Sequence, residues 1–318
     1  MSGPKMTSHF WFDEEIAEES LTMRMRLEKI THDEQSDFQR VQIIETLPFG
    51  KTLVLDGKTQ STEFDEAMYH ETLVHPALLW HGSPKRVYIG GGGELATARE
   101  CLRHASVEEV VMVDLDGMVV DMCKRHLPTW NANSTEDPRF TLKIGDARSY
   151  LLSEDSGSFD VVVLDISDPI EAGPAVHLYT KDFYDLVAQK LNPGGVVVTQ
   201  SGPAGVANFA ECFTAIHKTL KASFKHVAPF STSIPSFGSD WGFNLAYDQD
   251  HPLYTGLRDP AYVETLDDQI QQKFKDGTTL KHYDAETHSA LFSLAKIVRQ
   301  GIQNEDRVIT EENPVFMY

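Results

Sequence analysis

The sequence has little cysteine and no long apolar run, and each shortage excludes a class of protein. Its three cysteines, Cys101, Cys123 and Cys212, are far apart and form no C-x-x-C pair. This argues against a disulfide scaffold or a cysteine zinc site and favours a reducing compartment, so we expect a cytoplasmic protein. No apolar run is long enough to span a bilayer, and the start, MSGPKMTSHFWFDEE, has no signal-peptide core. We therefore expect no membrane association.

Basic residues are also scarce. The 28 Lys and Arg residues against 48 Asp and Glu residues give a formal net charge of −20. A field of that sign repels nucleic acid and favours cationic partners, so no nucleic-acid partner is expected. Solubility alone would explain the bulk charge equally well. The charge becomes informative only if carboxylates are concentrated in one site.

The 318 residues divide by pattern into two parts. Residues 1–80 read mainly as strands and turns, with a hairpin signal at Asp56-Gly57, followed by a helical pattern that ends near Gly82. In residues 81–318, short apolar β-rich runs alternate with helical segments, which is typical of a parallel sheet covered on both faces. The sequence therefore predicts a small β-rich N-terminal domain, 1–80, and a doubly wound α/β domain, 81–318.

Acidic residues follow four successive predicted strands of the second domain. The first strand leads into a glycine loop in which Gly91, Gly93 and Ala96 fit the G-x-G-x-x-G/A pattern. The acids at the four strand ends, with a fifth in the last loop, are Glu94, Asp114, Asp146, Asp165 and Asp168. Because ligands bind beyond the carboxyl ends of such strands, we expect a nucleoside pocket there. Asp114 is placed to hold ribose hydroxyls, and Asp146 to accept a hydrogen bond from an adenine amino group.

Each acid also has an ordinary structural explanation when it is taken alone. Glu94 would complement a helix dipole, Asp114 and Asp146 would cap helices, and Asp168 would begin a turn before Pro169. Four acids in succession at one sheet edge are harder to explain in this way. The loops of Glu94, Asp165 and Asp168 contain no Lys or Arg partner, and clustered carboxylates raise one another's pKa unless a cation joins them.

The cation predicted at this edge is an organic polycation. His70 and His75 are about 140° apart around a helix and cannot chelate a metal together, so no metal site is predicted. Aromatic residues support a channel for alkyl ammonium groups, although core packing is the ordinary fate of any one of them. These aromatic residues are Trp11, Tyr69, Phe237 and Trp241, all in loop-like or element-end positions.

With these residues in view, the sequence resembles aminopropyltransferases of the spermidine/spermine synthase family, from about His9 to the C-terminus. The matching motifs are FQRVQIIE, FGKTLVLDGKTQSTEFDEAMYHE, IGGGGE, VVMVDLD, GDA, LDISDP, LYTKDFY, NPGGVVVTQ and PSFGSDWGF. Within the family the sequence is most similar to thermospermine synthases, through GGGE, TARE, DPIEAGP, VTQSGPAG and PSFGSDWGF. The resemblance implies a Rossmann-like fold of the class I S-adenosylmethionine-binding type, assembled as a homodimer or homotetramer.

The resemblance also implies an activity. Decarboxylated S-adenosylmethionine would be the co-substrate that gives its aminopropyl group to spermidine, yielding thermospermine and methylthioadenosine without a permanently bound cofactor or a metal. Glu94 would attract the free amine of this donor and repel the carboxylate of ordinary S-adenosylmethionine. Asp165 would be the general base that takes a proton from the attacking amine.

By the same resemblance, individual residues acquire binding roles. Those implied for the donor are Gln39, Gly91, Glu94, Asp114, Asp146, Ala147, Asp165 and Pro174. Those implied for the acceptor are Tyr69, His70, Glu94, Asp165, Asp168 and Trp241. Two positions depart from the family pattern: Leu95-Ala96 follows the acid where a Gly-Ser or Gly-Phe pair is usual, and Asp114 replaces a glutamate. Neither departure removes a charge, so we expect the roles to be kept.

Other functions share some of these features. Spermidine or spermine synthases perform the same chemistry with another acceptor or at another position. An S-adenosylmethionine-dependent amine N-methyltransferase would share the sheet, but Glu94 and Asp165 would crowd its cofactor's carboxylate. A nicotinamide dehydrogenase explains the glycines alone, and a non-catalytic polyamine sensor does not explain an intact base at Asp165.

Overall fold

The computed structural model describes residues 10–17, 21–170, 173, 175–250, 253–275 and 277–317. Two sheets organise these residues, one of five strands and one of seven. Pro174, for which the sequence predicted a donor contact, lies outside the described residues. In the described ranges, no helix combines the length and the apolar character needed to cross a lipid bilayer.

The N-terminal sheet is antiparallel throughout and follows the chain in order. Its strands are β1 (Phe10–Ala17), β2 (Leu21–Gln35), β3 (Arg40–Thr46), β4 (Gly50–Leu55) and β5 (Lys58–Thr62). The turn between β4 and β5 is formed by Asp56 and Gly57, whose φ angles are 48° and 82°. Positive φ at both central residues is the geometry of a tight two-residue hairpin, so the predicted hairpin is confirmed.

The second sheet and its helices make up the remainder. The strands are β6 (Arg86–Gly91), β7 (Glu109–Asp114), β8 (Phe140–Ile144), β9 (Phe159–Asp165), β10 (Leu191–Pro203), β11 (His226–Ile234) and β12 (Ser239–Tyr247). The helices are α1 (Glu66–His81), α2 (Ala96–Arg103), α3 (Gly117–His126), α4 (Pro128–Asn131), α5 (Ala147–Ser153), α6 (Lys181–Lys190), α7 (Phe213–Ser223), α8 (Leu253–Leu257), α9 (Pro260–Val263), α10 (Leu266–Lys273), α11 (Ala285–Leu291) and α12 (Lys296–Asn304).

The strand order in the second sheet is β11-β12-β10-β9-β6-β7-β8. Strands β10, β9, β6, β7 and β8 are parallel, as the alternation of apolar runs and helices predicted. Strand β12 runs antiparallel to both β10 and β11, so the complete sheet is mixed. The reason is local: β11 returns into β12 through a single 3-10 turn, Pro235–Phe237, and no α-helix separates the two strands. The predicted Rossmann-like doubly wound fold with a small β-rich N-terminal domain is confirmed.

The order of the strands sets the position of the site. In an open sheet, a crevice forms where the strand connections diverge to opposite sides, here between β6 and its neighbour β9. Helix α1 is buried almost all round and packs against α2, β9 and β10, although the predicted division assigned it to the N-terminal domain. This packing places Tyr69 in the lining of the crevice and His70 next to Glu94.

Candidate active site

A cleft opens at the carboxyl ends of β6, β7 and β9, enclosing about 1030 Å³ including its open mouth. It brings together residues from both sheets that the sequence singled out. The predicted residues that line it are Gln39, Tyr69, Gly91, Glu94, Asp114, Asp146, Ala147, Asp165, Asp168, Phe237 and Trp241. The succession of acids at one sheet edge is therefore a real concentration of carboxylates in one cavity.

The glycine loop lies against the backbone of β9. Gly91 and Gly92 have φ angles of 81° and 77°, and the Gly92 N–H donates a 2.8 Å hydrogen bond to the Asp165 carbonyl oxygen. At Gly93, a β-carbon would come within 2.9 Å of an Asp114 carboxylate oxygen. The loop thus needs glycine to bring β6, β7 and β9 close around the cleft.

Leu95 is the departure from the family pattern that the structure explains best. Its φ of 73° is left-handed, which is unusual for a residue with a branched side chain. The side chain is fully buried in the core, and the Leu95 N–H donates a 2.7 Å hydrogen bond to the Gly92 carbonyl oxygen. Core packing and this bond offset a strain of about 1–2 kcal/mol, and the turn into α2 is retained.

Asp165 lies at the centre of the cleft with both carboxylate oxygens occupied. The Tyr69 hydroxyl donates a 2.7 Å hydrogen bond to Oδ1, and the Thr97 hydroxyl donates to Oδ2. Burial, and then the charge of Glu94, raise the pKa of Asp165 to about 6, against the opposing effect of His70. Such a carboxylate is ionised at neutral pH and is basic enough to take up a proton.

Glu94 has a basic partner that the sequence did not reveal. His70 Nε2 lies 2.8 Å from Glu94 Oε1, and His70 Nδ1 lies 2.6 Å from the Glu66 carbonyl oxygen. His70 lies on α1, so the sequence of the Glu94 loop, which contains no Lys or Arg, could not indicate this partner. His70 is fully buried behind Glu94 and does not line the cleft, so its implied contact with the acceptor stays a prediction.

The other acids differ in how they are held. Burial raises the pKa of Asp114 to about 7, although the Asp116 N–H donates a 2.9 Å hydrogen bond to it. Burial likewise raises the pKa of Asp168 to about 7, against the effect of Gln200, whose Nε2 donates at 3.1 Å. Asp146 accepts a 2.7 Å hydrogen bond from the Ser149 N–H and caps α5, so its ordinary structural explanation holds alongside its place in the cleft.

Three ligand atoms, one each from His70, Glu94 and Asp165, lie within 4.8 Å of one another. Burial lowers the pKa of His70, but Glu66 and Glu94 outweigh it and raise this pKa to about 10. His70 Nδ1 faces the Glu66 carbonyl oxygen and Nε2 faces Glu94, so an acceptor already lies against each ring nitrogen. As arranged, the group is suited to an ammonium cation, which can donate hydrogen bonds to the remaining lone pairs of the Glu94 and Asp165 carboxylates.

Three of the four predicted channel aromatics lie together. The ring centroids of Tyr69 and Phe237 are 6.0 Å apart and those of Phe237 and Trp241 are 4.6 Å apart. Trp241 lies in β12 and donates a 3.1 Å hydrogen bond from Nε1 to Gln200 Oε1. Trp11 is 49% exposed on β1 with Arg24 over its ring and is absent from the cleft lining, so that part of the expectation was wrong.

Comparison with known proteins assigns the chain to a family. Residues 66–255 match the family model described as the spermine/spermidine synthase domain, and residues 10–63 match the spermidine synthase tetramerisation domain.

The chain belongs to the spermine/spermidine synthase family.

Similar proteins of this family match along nearly the whole chain. The polyamine aminopropyltransferase of Aeropyrum pernix is 42% identical over 96% of this chain and 95% of its own length. Thermospermine synthase ACAULIS5 of Arabidopsis thaliana is 38% identical over 97% of this chain and 87% of its own. A crystal structure of spermidine synthase with the transition state analogue AdoDATO superposes with a TM-score of 0.82 at 28% identity, covering 94% of this chain and 97% of that one. As a member of this family, the chain is a polyamine aminopropyltransferase.

Some site residues of this aminopropyltransferase were missed in the sequence. Thr97 in α2 donates a hydrogen bond to Asp165, and Gln200 in β10 donates one to Asp168. Asp116 accepts hydrogen bonds from Gln39 and Ser36, which lie in the turn between β2 and β3. Gln200 lies near the carboxyl end of a predicted strand, so the rule that predicted the acids, that ligands bind beyond such strand ends, also applies to it. Nothing local marks Thr97 or Ser36, because their partners are distant in the chain.

Proposed function

We propose that this aminopropyltransferase transfers the aminopropyl group of decarboxylated S-adenosylmethionine to the aminopropyl end of spermidine, yielding thermospermine and methylthioadenosine. The donor's nucleoside would lie along Asp114, Asp146 and Ala147, with Gln39 and Gly91 beside it. The relative crystallised with AdoDATO supports a cleft of this kind, since its overall structure is similar to that of this chain. The donor contact of Pro174 stays a prediction.

Glu94 would face the donor's free amine. A carboxylate at this point stabilises an ammonium group and repels the carboxylate that ordinary S-adenosylmethionine carries. The acidity of the cleft therefore favours a decarboxylated donor over the methyl donor. This also weighs against the amine N-methyltransferase alternative.

Asp165 would act as the general base. An aliphatic ammonium has a reference pKa of about 10.4, so the acceptor nitrogen must lose a proton before it attacks. Tyr69 and Thr97 fix the Asp165 carboxylate, which takes that proton, and the lone pair of the neutral nitrogen then forms a bond to the methylene next to the sulfonium. The carbon–sulfur bond breaks, its electron pair stays on sulfur, and methylthioadenosine leaves as a neutral thioether.

The choice of a triamine acceptor rests on one observation, a second cavity that continues the cleft. The two cavities share Thr59, Asp168, Phe237 and Trp241, and the second encloses about 430 Å³. Its additional acidic lining residues are Glu14, Glu15 and Glu211. Lys58 also lines it, with Nζ donating a 2.5 Å hydrogen bond to the Glu15 carbonyl oxygen.

Burial raises the pKa of both Glu14 and Glu211, and a bound cation offsets that effect. A diamine whose reacting nitrogen lies at Asp165 needs one further anionic partner, which Asp168 supplies. A triamine carries a third nitrogen, and the second cavity offers it both space and negative charge. This favours spermidine over putrescine as the acceptor.

The test is incubation with labelled decarboxylated S-adenosylmethionine and either spermidine or putrescine, followed by chromatography that resolves thermospermine from spermine. We expect labelled thermospermine from spermidine and little product from putrescine. Spermine as the product would make the chain a spermine synthase, and activity on putrescine alone would make it a spermidine synthase. Methyl transfer from ordinary S-adenosylmethionine without aminopropyl transfer would end the proposal.

The assembly and location belong to the same proposal. Residues 10–63 match a tetramerisation domain, and their sheet exposes Phe10, Leu21 and Ile30, each more than half accessible. We propose a homodimer or homotetramer formed through this sheet, to be measured by light scattering after size exclusion. The three cysteines are free and buried, which fits the proposed cytoplasmic location.

A further inference from the structure

A series of buried charged side chains extends from Glu94 away from the cleft, through α1 and α2. Arg99 of α2 clamps the Glu66 carboxylate with two contacts, Nη2 to Oε2 at 2.7 Å and Nη1 to Oε1 at 3.3 Å. The same guanidinium donates from Nε to Glu100 Oε1 at 2.6 Å and from Nη1 to the Trp130 carbonyl oxygen at 2.8 Å. Glu66, Arg99 and Glu100 are all buried, so these contacts are protected from water.

The geometry around His70 fixes where its protons are. A carbonyl oxygen can only accept, so the 2.6 Å contact between His70 Nδ1 and the Glu66 carbonyl oxygen places a proton on Nδ1. The Glu66 carboxylate lies 3.3 Å from the same nitrogen. On the other side, His70 Nε2 lies 2.8 Å from Glu94 Oε1, and an ionised carboxylate also only accepts. Both ring nitrogens therefore face acceptors.

We propose that Glu66, held by Arg99, is a positioning residue that keeps His70 doubly protonated, so that His70 fixes and orients Glu94 at the donor site. Glu66 touches neither substrate and acts entirely through the imidazolium. The proposal rests on the aminopropyl transfer described above, because it assigns Glu94 to the donor amine. It is independent of which polyamine is the acceptor.

The charged groups around His70 explain why Glu94 alone is not enough to keep its buried imidazolium protonated and why Glu66 is also required. Glu66 lies on one side of the ring and Glu94 and Asp165 on the other, with the Tyr69 ring centroid 5.0 Å away. Lys281 Nζ lies 3.8 Å from Glu66 Oε1 and opposes the effect of that carboxylate. Burial disfavours the imidazolium, so its charge persists only while flanking anions stabilise it.

A permanent imidazolium would serve the reaction in two ways. It holds one Glu94 oxygen by a charged hydrogen bond and leaves the other free to accept from the donor's ammonium group. It also lowers the pKa of Asp165, against the effects of burial and Glu94 that raise it. Without the imidazolium, Glu94 and Asp165 would repel each other and one of them would tend to take up a proton.

The test is Glu66→Gln, which removes the charge but nearly preserves the shape. Nitrogen chemical shifts of the His70 ring report its protonation directly, and they are assigned by their loss in His70→Gln. At about pH 8 we expect a doubly protonated ring in the natural protein and a largely neutral ring in Glu66→Gln. The measurement needs no turnover, so it fails or succeeds separately from the proposed activity.

Kinetics supply the second measurement. The donor's amine stays protonated up to about pH 9, so KM for decarboxylated S-adenosylmethionine should be nearly constant from about pH 7 to 9 in the natural protein. In Glu66→Gln we expect that KM to rise about tenfold over the same range, because neutral His70 turns a lone pair toward Glu94. The maximal rate kcat should change less than KM.

Glu71→Gln is the matched control. Glu71 is a buried glutamate on the same helix, but its carboxylate accepts from the backbone N–H groups of Lys281, His282 and Tyr283. We expect this variant to lose stability while the His70 signals and the pH dependence of KM stay as they were.

If Glu66→Gln fails to fold, Arg99→Lys breaks the two-contact clamp and should shift the His70 ring toward the neutral form in the same way. A neutral His70 ring in the natural protein at about pH 8 overturns the proposal, as does a Glu66→Gln variant with an unchanged ring and a constant KM.

Discussion

Gly91 and Asp165 are register partners on the neighbouring parallel strands β6 and β9. A β-carbon on residue 91 would overlap the carbonyl oxygen of Asp165, and the next residue, Gly92, donates its N–H to that same oxygen. The glycine loop thus has a role beyond admitting a ligand. It fixes the backbone from which the proposed base projects.

Gly91→Ala should therefore damage both stability and turnover. The new methyl group must push β9 away, which we expect to reduce the free energy of unfolding by about 1–3 kcal/mol. Because Asp165 moves with the strand, the maximal rate should fall by about tenfold or more. Denaturant unfolding and steady-state kinetics measure the two effects.

Gly57→Ala isolates the backbone part of this effect. Gly57 has a similar φ of 82°, but a β-carbon there meets nothing within 4 Å. This variant should lose some stability through backbone strain and keep its activity. If both variants behave alike, close packing against Asp165 is not the reason for glycine at position 91.

Asp165→Asn should lower kcat by roughly 10²–10⁴-fold, the range expected when a general base is removed. Donor affinity, measured by calorimetry, should change little, because the amide keeps the shape of the carboxylate. Asp160→Asn is the control from the opposite end of β9, where the carboxylate holds the backbone N–H groups of Lys85 and Arg86. Near-normal turnover in Asp165→Asn would remove Asp165 as the base.

The activity should also depend on pH through Asp165. Burial and Glu94 raise its pKa to about 6, so the proton-accepting form is present above that pH and is lost as pH falls through it. We expect kcat at saturating substrates to fall about tenfold for each pH unit below about 6. In Asp165→Asn the remaining kcat should no longer show this fall below about pH 6. A limb near the ordinary carboxylate range, about pH 4, would contradict the predicted environment.

Much of the cleft could be predicted because it follows one topological rule. Acids that end successive parallel strands must meet at one edge, and Glu94, Asp114, Asp146 and Asp165 do so. The rule requires only strand positions, which apolar runs reveal well. The contact between His70 and Glu94 could not be predicted, because the pattern of α1 cannot show which of its faces meets the glycine loop. Every face of that helix is apolar or buried, so periodicity gives no orientation.

The hairpin of β11 and β12 was missed for a different reason. Glycine, serine and aspartate in residues 236–242 are turn formers, although the second half of this stretch lies in a strand. Pairing with β10 on one side and β11 on the other overrides local preference. Trp241 reaches the cleft only because of that pairing. The pairing is invisible until both partners are known.

Asp168→Asn should weaken binding of the acceptor and increase the stability of the folded protein at about pH 8. Burial raises the pKa of Asp168 from its ordinary 3.8 to about 7, so the folded protein holds this proton more tightly than the unfolded chain does. Ionisation is therefore destabilising, and its cost grows from about pH 4 and is complete above about pH 7. The variant should be more stable than the natural protein at about pH 8, by at most about 4 kcal/mol.

The same variant measured at about pH 4 is its own control, because the stability difference should disappear there. At about pH 8, KM for the acceptor should rise about tenfold or more, since the variant loses an anion from the lining that the two cavities share. Loss of stability at about pH 8 would show that the hydrogen bond from Gln200, and not burial, dominates at Asp168.

Glu94→Gln should weaken discrimination between decarboxylated and ordinary S-adenosylmethionine, which differ by one carboxylate. The carboxylate of Glu94 repels that of ordinary S-adenosylmethionine, whereas a glutamine amide can donate a hydrogen bond to it. Because His70 already offsets part of the Glu94 charge, we expect a moderate change of about tenfold in the affinity ratio, or about 1.4 kcal/mol. Competitive binding of the two nucleosides to the variant gives this ratio without turnover. Glu14→Gln is the matched control, since Glu14 lines the second cavity and not the donor end of the cleft. The ratio should stay unchanged in Glu14→Gln, and an equal change in both variants would mean that overall negative charge, rather than the position of Glu94, selects the donor.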